Sequence, residues 1–204
     1  IFILLPMTHP GPATAANQVG LYLEQDGSGP LGSTALNVPF SVYLVLTDPV
    51  DPSGTTSTVQ AAVGFELSIM FEPAPVHHLQ LQNVVLAEGA LDIGISRDVS
   101  TGAIDFAVGI PIGKGPKVID GAVVLAELQF LALGSAPVTA TLVPLRAIQS
   151  IPGEMCYVSD GPFPNDNTIV PMQAINGDGV DFEFNGVALA AESRTFGSVK
   201  ALFR

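Results

Sequence analysis

The stretch Val63-Gly64-Phe65-Glu66-Leu67-Ser68-Ile69-Met70-Phe71 decides the fold. Val63, Phe65, Leu67, Ile69 and Phe71 alternate with Gly64, Glu66, Ser68 and Met70. A period of two is the period of a strand, and it puts the large apolar side chains on one face. The pattern predicts a half-buried strand with its other face toward water. A slip of one residue would carry Glu66 and Ser68 into the core, so the register is strongly specified.

The same signal recurs on both sides. Val19, Leu21 and Leu23 alternate with Gly20, Tyr22 and Glu24, and Asp26-Gly27-Ser28-Gly29-Pro30 follows with turn chemistry. Phe40–Leu46 is rich in β-branched and aromatic residues, and Asp48–Gly54 reads as a loop. Further strands are predicted at Leu79–Val85, Leu91–Ile95, Ile104–Ile110, Val123–Leu133, Val138–Val143, Met155–Val158, Thr168–Ala174 and Val180–Phe184. Val123–Leu133 is rich in Ala and Leu and is compatible with a helix. Its β neighbours decide for a strand. Strands spaced this closely, with Gly, Pro and Asp between them, predict an all-β antiparallel sandwich. Residues 18–190 are expected to form it, with 1–17 as an apolar N-terminal arm and 191–204 as a C-terminal tail. In that tail Phe196, Val199, Leu202 and Phe203 fall near helical spacing, which reads as a short docked helix, with an extra strand or a sorting tail as the alternatives.

Composition narrows the function classes. The chain has 204 residues, enough to bury a substantial core. Charged residues make up 13%, against about 25% in an ordinary soluble domain. Seven basic residues oppose 19 acidic ones, for a net charge of −12. The basic residues are scattered and form no patch for a row of phosphates. Nucleic acid and anionic membranes are therefore poor partners. No run reaches the ~18 apolar residues of a spanning helix, so no membrane span is expected. Cys156 is the only cysteine, which excludes an intrachain disulfide and a thiolate metal site. It reads as a small buried apolar residue.

Three segments, taken in order, resemble the cohesin and cohesin-like β-sandwich modules of bacterial secreted and surface proteins. The first is Val38-Pro39-Phe40-Ser41-Val42-Tyr43-Leu44. The second is Ala62–Pro73, which is similar to a Gly-Phe, alternating strand, aromatic-Asp-Pro signature with Glu72 where Asp is usual. The third is Gly121–Phe130 followed by Val138–Leu142, resembling the late core strands. The resemblance runs from Gln18 to Asp181 and implies a jelly-roll of about nine strands. It does not extend to dockerin binding, because it places no dockerin-contacting surface on these residues. The segment from Ile151 to Asn167 and both terminal extensions depart from a plain module.

No enzyme signature is present: neither a G-x-S-x-G elbow nor H-E-x-x-H occurs. Gly109–Gly115 imitates a phosphate loop but lacks its spacing and its Ser or Thr, and reads as a hairpin loop. His77 and His78 are adjacent, so on a strand they face opposite ways and share no ion. Asn176, Asp178 and Asp181 cluster oxygen atoms at a turn and are the candidate calcium ligands, although Val180 breaks the usual loop spacing. Asp160 with Asn165–Asn167, and Asp48 with Asp51, form further oxygen-rich loops. Turn chemistry calls for the same residue types. There is no Trp and there are three Tyr, which leaves little aromatic platform for a sugar.

Ile1-Phe2-Ile3-Leu4-Leu5 is strongly apolar, and Pro6, Pro10 and Pro12 stiffen its link to the body. One reading is a secretory signal remnant with Ala13-Thr14-Ala15 as its cleavage site. The other is a mature arm packed in its own core or in a neighbour. The low charge and the apolar arm together give the expected function: a non-enzymatic, secreted structural subunit of an extracellular filament or surface assembly. It would be a homopolymer built by inserting Ile1, Phe2, Ile3, Leu4 and Leu5 into the open sheet of the next subunit. The alternative is a monomeric cell-surface adhesion or scaffold module that binds a protein or glycan through a sandwich face. No cofactor is expected beyond calcium.

Overall fold

The computed structural model describes residues 16–28, 36–54, 57–74, 78–94, 99–163 and 166–184. The arm Ile1–Leu5, the C-terminal tail and His77 lie outside the described residues.

The described residues form strands β1 (Gln18–Tyr22), β2 (Pro39–Thr47), β3 (Ala61–Glu72), β4 (Leu79–Val85) and β5 (Leu91–Asp92). After a 3-10 turn at Val99–Thr101 come β6 (Ala103–Gly109), β7 (Ala122–Ala132), β8 (Val138–Val143), β9 (Met155–Asp160), β10 (Ile169–Ala174) and β11 (Phe182–Phe184). No helix among them is long and apolar enough to cross a membrane.

Two layers face each other. One carries β4, β7, β2 and β1 in that order. The other carries β5, β6 and β3. The far edge of β3 is shared: β8 pairs with its Ser68–Glu72 half and β9 with its Ala61–Glu66 half. β11 extends the sheet beyond β8, and β10 extends it beyond β9. β10 then joins β1 in parallel and links the layers. The all-β expectation holds, with 11 strands among the described residues.

β3 carries the register that its sequence predicts. Phe65, Leu67, Ile69 and Phe71 are buried in the shared core, opposite Leu44, Leu125, Leu128 and Phe130. Burial of each such side chain stabilises the fold by about 1.5–3 kcal/mol. Phe40, Phe71, Phe130, Phe182 and Phe184 form an aromatic cluster at one end, with Phe130 and Phe184 edge to face at 5.1 Å. Val63 is buried but stands at a break in the β3–β9 register, outside this cluster. Gly64 is required where it stands: a Cβ there would lie 2.8 Å from the Val108 carbonyl oxygen.

The Ala-rich β7 is a strand because it is paired on both edges, by β2 and by β4. The strand predicted at Met155–Val158 is present as β9, beside β3. One expectation changes. The Gly109–Gly115 loop joins β6 to β7 in the other layer, so it is a crossover and not a hairpin.

A strapped sheet face and its surroundings

Alternation along β3 and β6 directs Glu66, Ser68, Asp105 and Ala107 away from the core. Water was expected there. Instead Ser68 is 0% exposed and Asp105 is 2% exposed. They are cross-strand partners, and the Ser68 hydroxyl donates to Asp105 Oδ1 at 2.7 Å.

The chain that leaves β8 covers them. The Arg146 amide donates to Ser68 Oγ at 3.1 Å. The Arg146 guanidinium meets Asp105 in a bidentate pair, Nε to Oδ1 at 2.9 Å and Nη2 to Oδ2 at 2.8 Å. Four residues on, Ser150 donates its amide and hydroxyl to Glu66, at 2.8 and 2.6 Å. Within this strap Gln149 donates to the Leu145 carbonyl at 2.6 Å. Residues 145–150 are thus pinned across β6 and β3. The guanidinium beside Asp105 holds that carboxyl below the usual carboxylate range, and the same contact raises Arg146.

Exposed apolar side chains stand on the strap itself and along the β5 edge of the same layer. Ile148, between the two pins, is 94% exposed. Leu91 on β5 and Ile93 just beyond it are 68% and 72% exposed. Leu91 pairs with Gly109, and the Ile93 amide donates to Ala107. Leu91 and Ile93 therefore share the outward face of β6 with two residues that have little or no side chain. Cys156 sits beside Glu66 on the neighbouring strand, buried as the sequence implied. Burial pushes its thiol up to about 12, with Glu66 adding to the shift, so it is unreactive at neutral pH.

The candidate calcium ligands share a turn but not an environment. Asn176 and Asp178 are exposed, and the Asn176 side chain donates to the Val180 carbonyl at 3.0 Å. Asp181 is 0% exposed, and its Oδ2 accepts the Leu142 amide at 2.6 Å. Burial raises the Asp181 carboxyl, against the lowering by the amides of Leu142 and Asn176. Among the described residues no group of three or more His, Cys, Asp or Glu is arranged to hold a metal. In the other oxygen-rich loop, Asp51 is buried and accepts from Ser53, Gly54, Ser159 and Thr168. His78 precedes β4, and its carbonyl accepts the amides of Leu133 and Gly134.

A groove of about 880 Å³ lies between the end of β8, the start of β9, β10 and the turn before β11. Sequence reasoning found neither this groove nor the strap. Ser68 and Asp105 look like ordinary solvent-facing strand positions. The one local hint was a lone Arg146 close after a strand.

No family model matches the chain, and no curated protein matches it. Solved cohesin structures do. The chain is similar to the type I cohesin–dockerin complex Coh-OlpA–Doc918 from Clostridium thermocellum, with a TM-score of 0.50 and 9% identity, covering 84% of this chain and 99% of that one. A cohesin module from a Clostridium perfringens family 33 glycoside hydrolase matches with a TM-score of 0.49 and 8% identity over 84% of this chain and 97% of that one. A non-cellulosomal cohesin from the archaeon Archaeoglobus fulgidus matches with a TM-score of 0.42 and 10% identity over 84% and 91%. The fold is a cohesin-like β-sandwich, as the sequence resemblance implied.

Proposed function

We propose that the chain is a non-catalytic, extracellular or cell-surface module that binds a protein partner on the strapped face of its sandwich. The observation that carries this reading is the set of exposed apolar side chains there: Leu91, Ile93 and Ile148. Large apolar groups gathered on one face of a soluble domain mark protein contacts. The fold likeness adds support, since the C. thermocellum structure is a cohesin bound to a dockerin. A glycan partner is less well served. Tyr22 and Tyr157 are buried, which leaves the half-buried Tyr43 as the accessible tyrosine.

The test is calorimetric titration of the whole chain with a panel of purified dockerin modules, the C. thermocellum partner among them. At least one is expected to bind. The double change Leu91→Asp with Ile93→Asp is expected to weaken that binding at least tenfold, while Gln80→Glu on the opposite layer leaves it unchanged. A panel with no binder, or equal loss from both variants, overturns the reading.

A further inference from the structure

Five neighbouring strands place one residue each in a single cross-strand row on the outward face. Leu91 on β5 pairs with Gly109 on β6, Gly109 with Gly64 on β3, Gly64 with Val158 on β9, and Val158 with Ile169 on β10. No polar side chain interrupts the row. Strands lie about 4.8 Å apart, so it extends about 19 Å across the sheet. Leu91, Gly109 and Ile169 are exposed, and Val158 is half-buried.

The two glycines of the row differ. Gly64 is explained by packing, since a Cβ there would crowd the Val108 carbonyl and would also lie 3.2 Å from Val158 Cγ2. Gly109 has no such reason. It is not among the residues with positive φ, and a Cβ there would meet nothing within 4 Å. Glycine weakens a strand, and one that folding does not require commonly marks a close approach by another molecule. Its missing side chain leaves a notch between Leu91 and Val158, whose backbones stand about 14 Å apart over three strand intervals. We propose that this notch receives one large apolar anchor side chain of a protein partner, flanked in that partner by Lys or Arg.

The proposal rests on the partner-binding reading of this face and adds what the partner must present. A single anchor seated in a pocket and ringed by weaker contacts is the usual economy of a protein interface. Charge selects its surroundings. Glu66 flanks the row on one side, next outward from Gly64 along β3, and Asp160 flanks it on the other, next outward from Val158 along β9. Of the described cations, Arg146 is held by Asp105, Lys114 by Glu88, and Lys117 lies beyond Asp160 beside Ala61. With a net charge of −12 on the chain, a basic segment is attracted and a second copy is repelled.

The test titrates the whole 15N-labelled chain with two capped tripeptides, Lys-Phe-Lys and Glu-Phe-Glu, and follows amide chemical shifts. The basic peptide is expected to move the amides of Leu91, Gly109 and Val158, and the acidic peptide to move them about fivefold less. Gly109→Leu fills the notch and is expected to cut the basic peptide's shifts about fivefold with the far-UV spectrum unchanged. Gly109→Ala, a smaller plug in open space, is expected to cut them about twofold and keeps the test decisive should the leucine disturb the strand. No shifts, shifts elsewhere, equal shifts from both peptides, or shifts undiminished in the Gly109 variants overturn the proposal. Shifts of the row that depend on protein concentration without peptide would make a second copy the occupant and also overturn it. Failure of the broader reading looks different: no purified module then binds, while the basic peptide still moves the row. Conversely, a module whose binding is lost in Leu91→Asp with Ile93→Asp but is indifferent to Gly109→Leu keeps the face and removes the notch.

Discussion

The two outer faces of the sandwich have the same strand grammar and opposite fates. On the β4-β7-β2 layer, Asn83, Gln129 and Ser41 stand side by side in the register. Glu127 ties the row together, accepting from Ser41 at 2.6 Å and from Gln129 at 3.0 Å. These groups remain partly or fully exposed. On the β6–β3 layer, Ser68 and Asp105 occupy equivalent outward positions, yet both are buried under the strap. What separates the faces is a segment about 40 residues further along the chain than Asp105. The difference also sets energies. Polar groups in water exchange partners with solvent at little net cost. A covered charge depends on the partner the protein supplies.

The largest expected effect tests that dependence. Arg146→Ala leaves Asp105 covered by protein and stripped of its bidentate partner. Breaking a buried pair from one side costs about 3–5 kcal/mol, and the lower end applies because the Arg146 side chain is 39% exposed. Urea unfolding should show a loss of about 3 kcal/mol. Adding Asp105→Asn should recover part of it, because the uncompensated charge is gone. A loss below about 1 kcal/mol would mean the strap is not pinned by this pair and the two faces are alike.

This contrast marks the limit of what the sequence made legible. The β3 alternation named Phe65, Leu67, Ile69 and Phe71 as core, and they are. Cross-sheet packing follows a local period, so a local pattern predicts it. The burial of Ser68 depends on Arg146, whose contact has no period and no motif. The Asp178/Asp181 turn was legible as a turn for a similar reason. That Asp181 turns inward to cap Leu142 was not legible, because the free β8 edge it caps is a product of topology. The apolar groups of the proposed docking face look in sequence like any other strand residues.

Of intermediate size is the effect at that cap. Asp181→Ala removes the acceptor of a buried amide, which costs about 1–3 kcal/mol. The pH dependence separates the two carboxylates by sign. Asp105 titrates below its unfolded value of about 3.9, so its stabilisation is present above that pH and is lost as pH falls through the lower folded value. Asp181 titrates above it, so its contribution is most favourable below about 3.9 and is lost as pH rises through the higher folded value. Asp181→Asn should therefore flatten the decline of stability on the alkaline side of pH 4, while Asp105→Asn should flatten the acid limb. The same limb changing in both variants would contradict the assignment. Should the turn bind calcium instead, excess chelator would lower the melting temperature of the wild-type chain and leave that of Asp181→Asn unmoved.

The smallest effect is expected on the polar face, and it completes the comparison. Ser41→Ala deletes a 2.6 Å hydrogen bond to Glu127, which is short enough to look important. That bond, with the one from Gln129, holds the Glu127 carboxyl below its ordinary value. The carboxylate nevertheless sits on a face open to water, and solvent can take the place of the lost hydroxyl. The stability change should stay within about 0.5 kcal/mol, as for most surface substitutions. Binding of any partner on the strapped face should be unaffected, since the opposite layer lies across the core. Thermal unfolding of Ser41→Ala beside Ser68→Ala is the direct measurement. Ser68 accepts the Arg146 amide and donates to Asp105 at a site closed to solvent. Its loss should cost more than that of Ser41, because no water replaces it. Equal losses would show that the strap excludes less solvent than its geometry implies, and the distinction between the faces would then rest on their apolar side chains alone.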